Sequence, residues 1–341
     1  MTQRLIRLAA DVLTVAALAA ISAIAGDTPA APAITAADQQ SFDKWKTELV
    51  ENRKQKWLPL AGLFWLKPGK NSFGADKDNV IIFPKGPGHG GWFILQGKDV
   101  SVKLAPGVKA TVAGKPITGA KMEPDTSKSV TIVEMGSLRF HLIVRGERVG
   151  IRLKDLDSAA VRNYRGPDFF PLNINYRVVA KWEPAEGNRT VDVPNVLGDV
   201  TPTPVSGTAV FELNGQEFRL TDLSEDPKTS LFFVFSDFTS KTETYPGGRF
   251  LDAEPPANGT VVLDFNRAYN PPCSVTPYAT CPLAPKENRL ALAIPVGEKY
   301  DHKSGHHCPP RRIACQMVVS GFNHEGHEGA RRKAVRIQLF V

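Results

Sequence analysis

A chain of 341 residues with 42% hydrophobic and 23% charged residues reads as an ordinary soluble globular protein. Its net charge of +7 is unevenly placed: residues 1–27 balance, the seven Lys and Arg of 300–341 outweigh three acids to give +4, and the long body keeps only +3. That is too dilute for a phosphate-binding face, so nucleic acid is excluded as the expected partner, while 28 Gly and 27 Pro favour a turn-rich β fold.

The N-terminus has the layout of an export signal. Arg4 and Arg7 precede the apolar run Val12–Ala25, which ends in the small-x-small triplet Ala23-Ile24-Ala25, so cleavage is expected after Ala25. The run is short of the roughly 20 residues of a membrane span. The reading is therefore an exported protein, periplasmic or secreted, with signal peptide 1–25 and no stable membrane span after cleavage. Asp11 sits awkwardly before the apolar run, and the competing reading is an uncleaved anchor or a buried helix.

Residues 26–37, rich in Ala, Pro and Thr, form a linker. From Asp38, Phe42, Trp45 and Leu49 recur at helical spacing, which predicts an amphipathic helix over 38–55 capped by Asp38 or Ser41. Ser41 to Lys44 also fits S-x-x-K, but neither S-D-N nor K-T-G accompanies it, so capping is the better explanation.

Beyond Trp57, strand patterns recur about every ten residues. A first series is expected at Asn79–Phe83, Gly91–Leu95, Val100–Leu104, Lys109–Val112, Ser129–Glu134, Leu138–Val144, Gly150–Leu153 and Arg177–Trp182. A second is expected at Thr190–Val193, Thr208–Leu213, Glu217–Thr221, Ser230–Phe235, Thr260–Asp264 and Arg289–Ile294. The clearest hairpin is 211–220, where Asn214-Gly215 supplies the positive φ angles of a type I′ turn. The fold class is mainly β, as an antiparallel sandwich or barrel-like sheets with a short N-terminal amphipathic helix. Residues 38–299 are read as one elaborated β-rich domain, with Glu183–Pro204 as the place where two sub-barrels would divide.

The tail, 300–341, holds His306, His307, Cys308, Cys315, His324 and His327. These are enough ligands for Zn²⁺, yet C-x₆-C and H-x₂-H depart from structural zinc spacings. The tail is expected to be a disordered or read-through extension, and no metal or cofactor is assigned to the chain.

Hydrolase motifs are lacking. Gly86-Pro-Gly-His-Gly-Gly91 resembles an oxyanion loop, but no G-x-S-x-G elbow accompanies it, so it reads as a strand-to-strand loop. Cys273 and Cys281 are separated by seven residues, which easily fold back to the roughly 5.5 Å that a disulfide needs between Cα atoms. In an exported protein a bridge is the leading reading, stabilising by about 2.5 kcal/mol on the chain-entropy model. The alternative makes one a thiolate nucleophile, for which the body offers only His89 and His141 as bases.

The carboxylates form the other cluster. Asp237 and Asp264 end apolar runs, near Thr239, Thr242, Thr244, Asn266 and Asn270, with Arg249 as a partner. This set suits a polar ligand pocket or general acid/base chemistry. Turn capping and pairing with Arg249 or Arg267 would account for the same residues.

Several stretches together resemble a known family: the helix, then 57–74, IRLKDLDS (151–158), FSDFTSKTETYPGGRFL (235–251), LDFNRAYNPPC (263–273), CPLAPKENRL (281–290) and GEK (297–299). They are similar to the bacterial domain-of-unknown-function family 1684 over about 42–299. The resemblance carries no established activity. It implies shared positions at Asp237, Thr239, Thr244, Tyr245, Arg249, Asp264, Asn266, Tyr269, Asn270, Pro271, Cys273, Cys281, Pro282, Glu287, Asn288, Gly297 and Glu298, and that the family pattern stops near Lys299.

The expectation is thus a protein binding a small polar or anionic molecule in a pocket at strand ends, with ligand-binding candidates Asp237, Thr239, Arg249, Asp264, Asn266, Asn270, Glu287 and Asn288. The alternatives are a hydrolase-type enzyme using Asp237 or Asp264 with Arg249, and a structural envelope protein with no site.

Overall fold

The computed structural model describes residues 33–302. The signal-like segment 1–25 and the His/Cys ligand set of the tail lie outside the described residues.

The helix starts earlier than the periodicity suggested, spanning Ala36–Lys56. Thr35, not Asp38 or Ser41, is the N-cap: its hydroxyl accepts from Asp38 N at 3.1 Å while the Asp38 carboxylate accepts from Thr35 N at 3.0 Å. This reciprocal capping box satisfies two amides that would otherwise lack partners. Phe42 and Leu49 are buried as expected, and so is Arg53. Phe42, Trp45 and Phe169 make an aromatic cluster with ring centroids 5.5 to 5.7 Å apart.

The chain then builds two open sheets face to face. One runs Leu60–Trp65, Arg148–Asp155, Leu138–Arg145, Ile132–Met135, Ala110–Val112 and Lys115–Ile117 in spatial order. The other runs Ile81–Ile82, Gly69–Gly74, Gly91–Gln96, Asp99–Leu104 and Gly119–Lys121. All pairs are antiparallel except the short Gly69–Gly74 with Ile81–Ile82. Alternate residues of both sheets point inward, and Phe73, Phe83, Phe93 and Phe140 form the centre of a shared core, with Phe73 and Phe93 stacked at 4.4 Å. The result is a sandwich, not a closed barrel.

A second apolar core lies in the C-terminal half. A four-stranded sheet, in the order Gln216–Thr221, Gly207–Leu213, Arg177–Pro184 and Thr260–Asp264, packs Phe211, Leu263 and Phe265 against Phe233 and Phe235 of the hairpin Leu231–Phe235 with Arg249–Ala253. The 211–220 hairpin has the expected turn: Leu213 pairs with Gln216 and Asn214 and Gly215 have φ of 55° and 75°. Within Glu183–Pro204, Thr190–Pro194 pairs with Val200–Pro204.

Arg289–Ile294 differs from expectation. It is not a strand but an irregular segment, anchored where Leu290 N donates to Ser236 O at 2.8 Å and Phe238 N donates to Leu292 O at 2.8 Å. Its side chains Leu290 and Ile294 still enter the core, so burial was read correctly and backbone pairing was not.

Candidate functional site

The residues singled out in the sequence fall into four separate places. At the first, Asp237 caps a short 3₁₀ turn, Phe238–Lys241, because an Asp two residues ahead of an amide readily accepts from it. Its Oδ1 takes Thr239 N at 2.8 Å, Thr239 Oγ1 at 2.6 Å and Ile294 N at 3.2 Å. Its Oδ2 takes Arg249 Nη2 at 2.8 Å. Arg249 also donates to the carbonyls of Ile294, at 3.0 Å, and Val296, and its guanidinium lies 5.1 Å from the Phe235 ring centre. Burial lowers the Arg249 pKa, with the Asp237 charge working against that shift. Both side chains are fully enclosed, so the pair ties the segment 237–249 to the irregular 290–296 strip and presents no face to a ligand.

At the second place, Asn270 joins a buried pair that sequence reading missed. Arg53 Nη1 and Nη2 meet Glu298 Oε1 and Oε2 at 2.9 and 2.5 Å, a forked arrangement. Arg53 also donates to Tyr164 OH at 2.9 Å and Asn270 O at 3.1 Å, while Asn270 N donates to Glu298 Oε2 at 2.8 Å. Burial opposes the Arg53 charge, but Glu298 and Tyr164 outweigh it and the Arg53 pKa is raised. Gly297 delivers Glu298: its φ is 81° and a Cβ at this position would lie only 2.7 Å from Ala268 O, so any side chain would be strained.

At the third, Asp264 Oδ1 accepts from Asn266 N at 3.2 Å and Nδ2 at 2.9 Å, and Asn266 brackets the backbone of Asn173 at 2.8 and 3.0 Å. Both line a cleft of about 70 Å³ with Arg177 and Arg267, small beside ligand pockets of about 300 to 1,000 Å³. Asn288 plays a different part, its amide clasping the backbone N and O of Thr221 at 2.8 Å each. Glu287 lies beside it, with Oε2 buried and unpartnered among the described residues.

A cavity of about 310 Å³ elsewhere has a different character. Strands Leu138–Arg145 and Arg148–Asp155 pair His141 with Arg152 and Arg139 with Lys154. Phe140, Leu142, Ile151 and Leu153 take the core face, so the alternate residues His141, Arg152 and Lys154 share the outer face. The loop 272–282 lies over that face. Arg152 Nη2 and Arg145 Nε both donate to Thr280 Oγ1, at 3.2 and 3.4 Å. The cavity is lined by Lys56, His141, Arg152 and Lys154, with Trp57 and Phe250 as aromatic walls and Thr280 and Cys281 at the loop side. Among the described residues, no carboxylate lines it. Asp125 is near enough to favour the Arg152 and His141 charges, but it is paired with Arg145 at 2.7 Å.

Those cations suppress one another. Burial, then Arg152 and Lys154, push the His141 pKa down to about 4. Burial and Arg145 lower Arg152, and burial with Arg152 and Lys56 lowers Lys154. Arg152 Nε has no partner among the described residues. An anion entering here would offset, by its opposite charge, both the desolvation penalty and the mutual repulsion. The signal was legible as the alternating Arg152 and Lys154 in IRLKDLDS and Arg139 and His141 in the preceding strand, where it resembles an ordinary solvated face.

Cys273 and Cys281 are separate, buried thiols in contact, with Cys273 N donating to Cys281 Sγ at 3.1 Å. Burial pushes the Cys281 thiol up. Among the described residues, Asp76, Asp78 and His89 place one metal-ligand atom each within 4.8 Å of one another, all on exposed side chains.

The fold and the cavity together define an open antiparallel β protein with a cationic, aromatic-walled pocket closed by a proline-rich loop. Residues 162–299 match the family described as "Protein of unknown function (DUF1684)". An uncharacterized protein of Haloarcula marismortui, solved by NMR, is 31% identical over 42% of this chain and 80% of its own, with a TM-score of 0.36. Comparison with curated proteins found no match.

Proposed function

We propose that the protein binds a small anionic molecule in the pocket formed by Lys56, His141, Arg152, Lys154 and Thr280. The carrying observation is that Lys56, Arg152 and Lys154 converge on one cavity, beside the His141 ring, with no carboxylate among the described residues of its lining, which stores unfavourable electrostatic free energy that a ligand's negative charge releases. Arg152 supplies a planar fork suited to carboxylate or phosphate. Trp57 and Phe250 suit an apolar or aromatic body attached to the charged group. The small polar or anionic ligand expected from the sequence is thereby narrowed to an anion, and its place moves from the strand-end residues around Asp237, Arg249, Asp264 and Asn270 to the outer face of the first sandwich.

Calorimetric titration tests this with phenyl phosphate and hexanoate as anions and phenol as neutral control. Binding of an anion is expected in the native protein, weakened by salt and weakened roughly tenfold or more in Arg152→Ala and Lys154→Ala, with melting temperatures held. Equal affinity in native and variant proteins would sink the proposal.

The basic-then-apolar N-terminal segment supports export. In an oxidising compartment the adjacent Cys273 and Cys281 would lose two protons and two electrons to a thiol oxidant and bridge, fixing the loop over the pocket. Alkylation of denatured, unreduced protein followed by peptide mass mapping should find these two linked. Finding both alkylated overturns that bridge.

A further inference from the structure

The wall of the cationic pocket has a second side. Pro282 lines that pocket and also a larger cavity of about 580 Å³. The larger cavity has an apolar floor of Val193, Leu223, Phe232 and Val234, and its charged lining residues are Glu225, Asp226 and Asp252, all acidic. Phe232 meets Phe250 edge-on at 4.9 Å. Asp252 follows Phe250 by two residues on strand Arg249–Ala253, so the two side chains leave the same face of the strand about 7 Å apart. Phe250 therefore walls the basic cavity while its same-face neighbour Asp252 lines the acidic one.

Tyr269 holds this boundary in place. Its OH donates to Asp252 Oδ2 at 2.8 Å, its backbone exchanges hydrogen bonds with Phe250 at 2.8 and 2.9 Å, and its ring packs on Trp57 of the basic cavity at 6.3 Å. Asp226 is occupied within its own turn, accepting from Thr229 Oγ1 at 2.7 Å and Lys228 N at 3.2 Å. Glu225, and the Asp252 oxygen that Tyr269 does not use, are the carboxylate positions left to meet a cation among the described residues.

We infer that the two cavities are halves of one site and that its ligand is a zwitterion, with an acid group held by Arg152 and Lys154 and an ammonium group at Asp252 and Glu225, joined by an apolar span over Phe250 and Pro282. This rests on the anion-binding reading of the basic cavity. An apolar floor with carboxylates at its edge favours an alkylammonium over either an anion or a bare apolar group. Joining the two ends makes the second contact intramolecular, so a ligand of matching length gains affinity without new contacts at either end.

The test is calorimetry on the full chain with simple carboxylates and the ω-amino acids of the same chain lengths, from aminobutyrate to aminododecanoate, with hexylammonium as the cation alone. One chain length should bind at least roughly tenfold more tightly than its plain carboxylate. Asp252→Asn, which keeps an acceptor for Tyr269, and Thr203→Trp, a change at another lining residue of the acidic cavity that would fill it, should each abolish that gain and leave carboxylate binding unchanged. If every amino acid binds no better than its carboxylate, the composite site is overturned and the anion reading stands. If neither kind of probe binds, both fall together. A gain that survives in both variants places the ammonium elsewhere and likewise overturns the inference.

Discussion

The enclosed Arg249 and the pocket-lining Arg152 are the same residue type under opposite management. Arg249 meets Asp237 and two carbonyls and has no exposed surface. Arg152 meets a Thr hydroxyl, lies beside Lys154 and His141, and opens onto a cavity. A buried charge with a partner is a fastener, costly to break though not necessarily stabilising in net terms. A partly buried charge without one is a site awaiting a counter-ion. They differ in burial, and they differ above all in whether a carboxylate meets the charge.

Breaking the fastener should give the largest effect. Arg249→Ala leaves Asp237 charged and enclosed, and a loss of about 3 to 5 kcal/mol is expected from chemical denaturation. Arg249→Met combined with Asp237→Leu removes both charges and should lose less than the single change. If the double variant is the less stable, the pair contributes more than mutual neutralisation.

The pocket is sharpened by pH. His141 has a folded pKa of about 4 against an ordinary 6.5, so between those values the unfolded chain takes up a proton that the folded one refuses. Stability from this group is complete above about pH 6.5 and declines as pH falls toward 4, by about 3 kcal/mol in all. His141→Gln should flatten that part of the stability profile, and a bound anion should shrink the loss by favouring the protonated ring.

Arg152→Met separates the two regions most directly. Removing a cation that burial and like charges disfavour should leave the melting temperature unchanged or raised, while anion affinity drops by about 1.4 kcal/mol or more. A stability loss comparable to that of Arg249→Ala would erase the distinction. The smallest effect is expected at Asp264, whose carboxylate caps the 3₁₀ turn Phe265–Arg267: Asp264→Ala should cost about 1 kcal/mol, read from thermal unfolding, and leave anion binding alone.

Much of the fold was legible because apolar alternation marks a two-sided strand wherever it occurs, as in 91–104 and 207–221. The Asn-Gly turn was legible because few residues accept those φ angles. Leu60–Trp65 and Arg249–Ala253 were missed because their burial is not alternating. Arg289–Ile294 misled for the converse reason, being apolar but held by single hydrogen bonds. The family-like residues Asp237, Arg249, Asn266, Asn270 and Asn288 were found from the sequence and prove to clasp backbone and partner charges. What a sequence does not display is whether a charge has a partner, and that alone distinguishes Glu298, enclosed with Arg53, from Lys154 at the pocket.

The Arg53–Glu298 clasp joins positions 245 residues apart. During synthesis the Arg53 side chain emerges long before the carboxylate that neutralises it, so the helix cannot dock in its final form until nearly all of the described chain has left the ribosome. Docking of the helix is thereby tied to completion of the chain, whereas the first sandwich draws its core from residues before 156 and does not wait for Glu298.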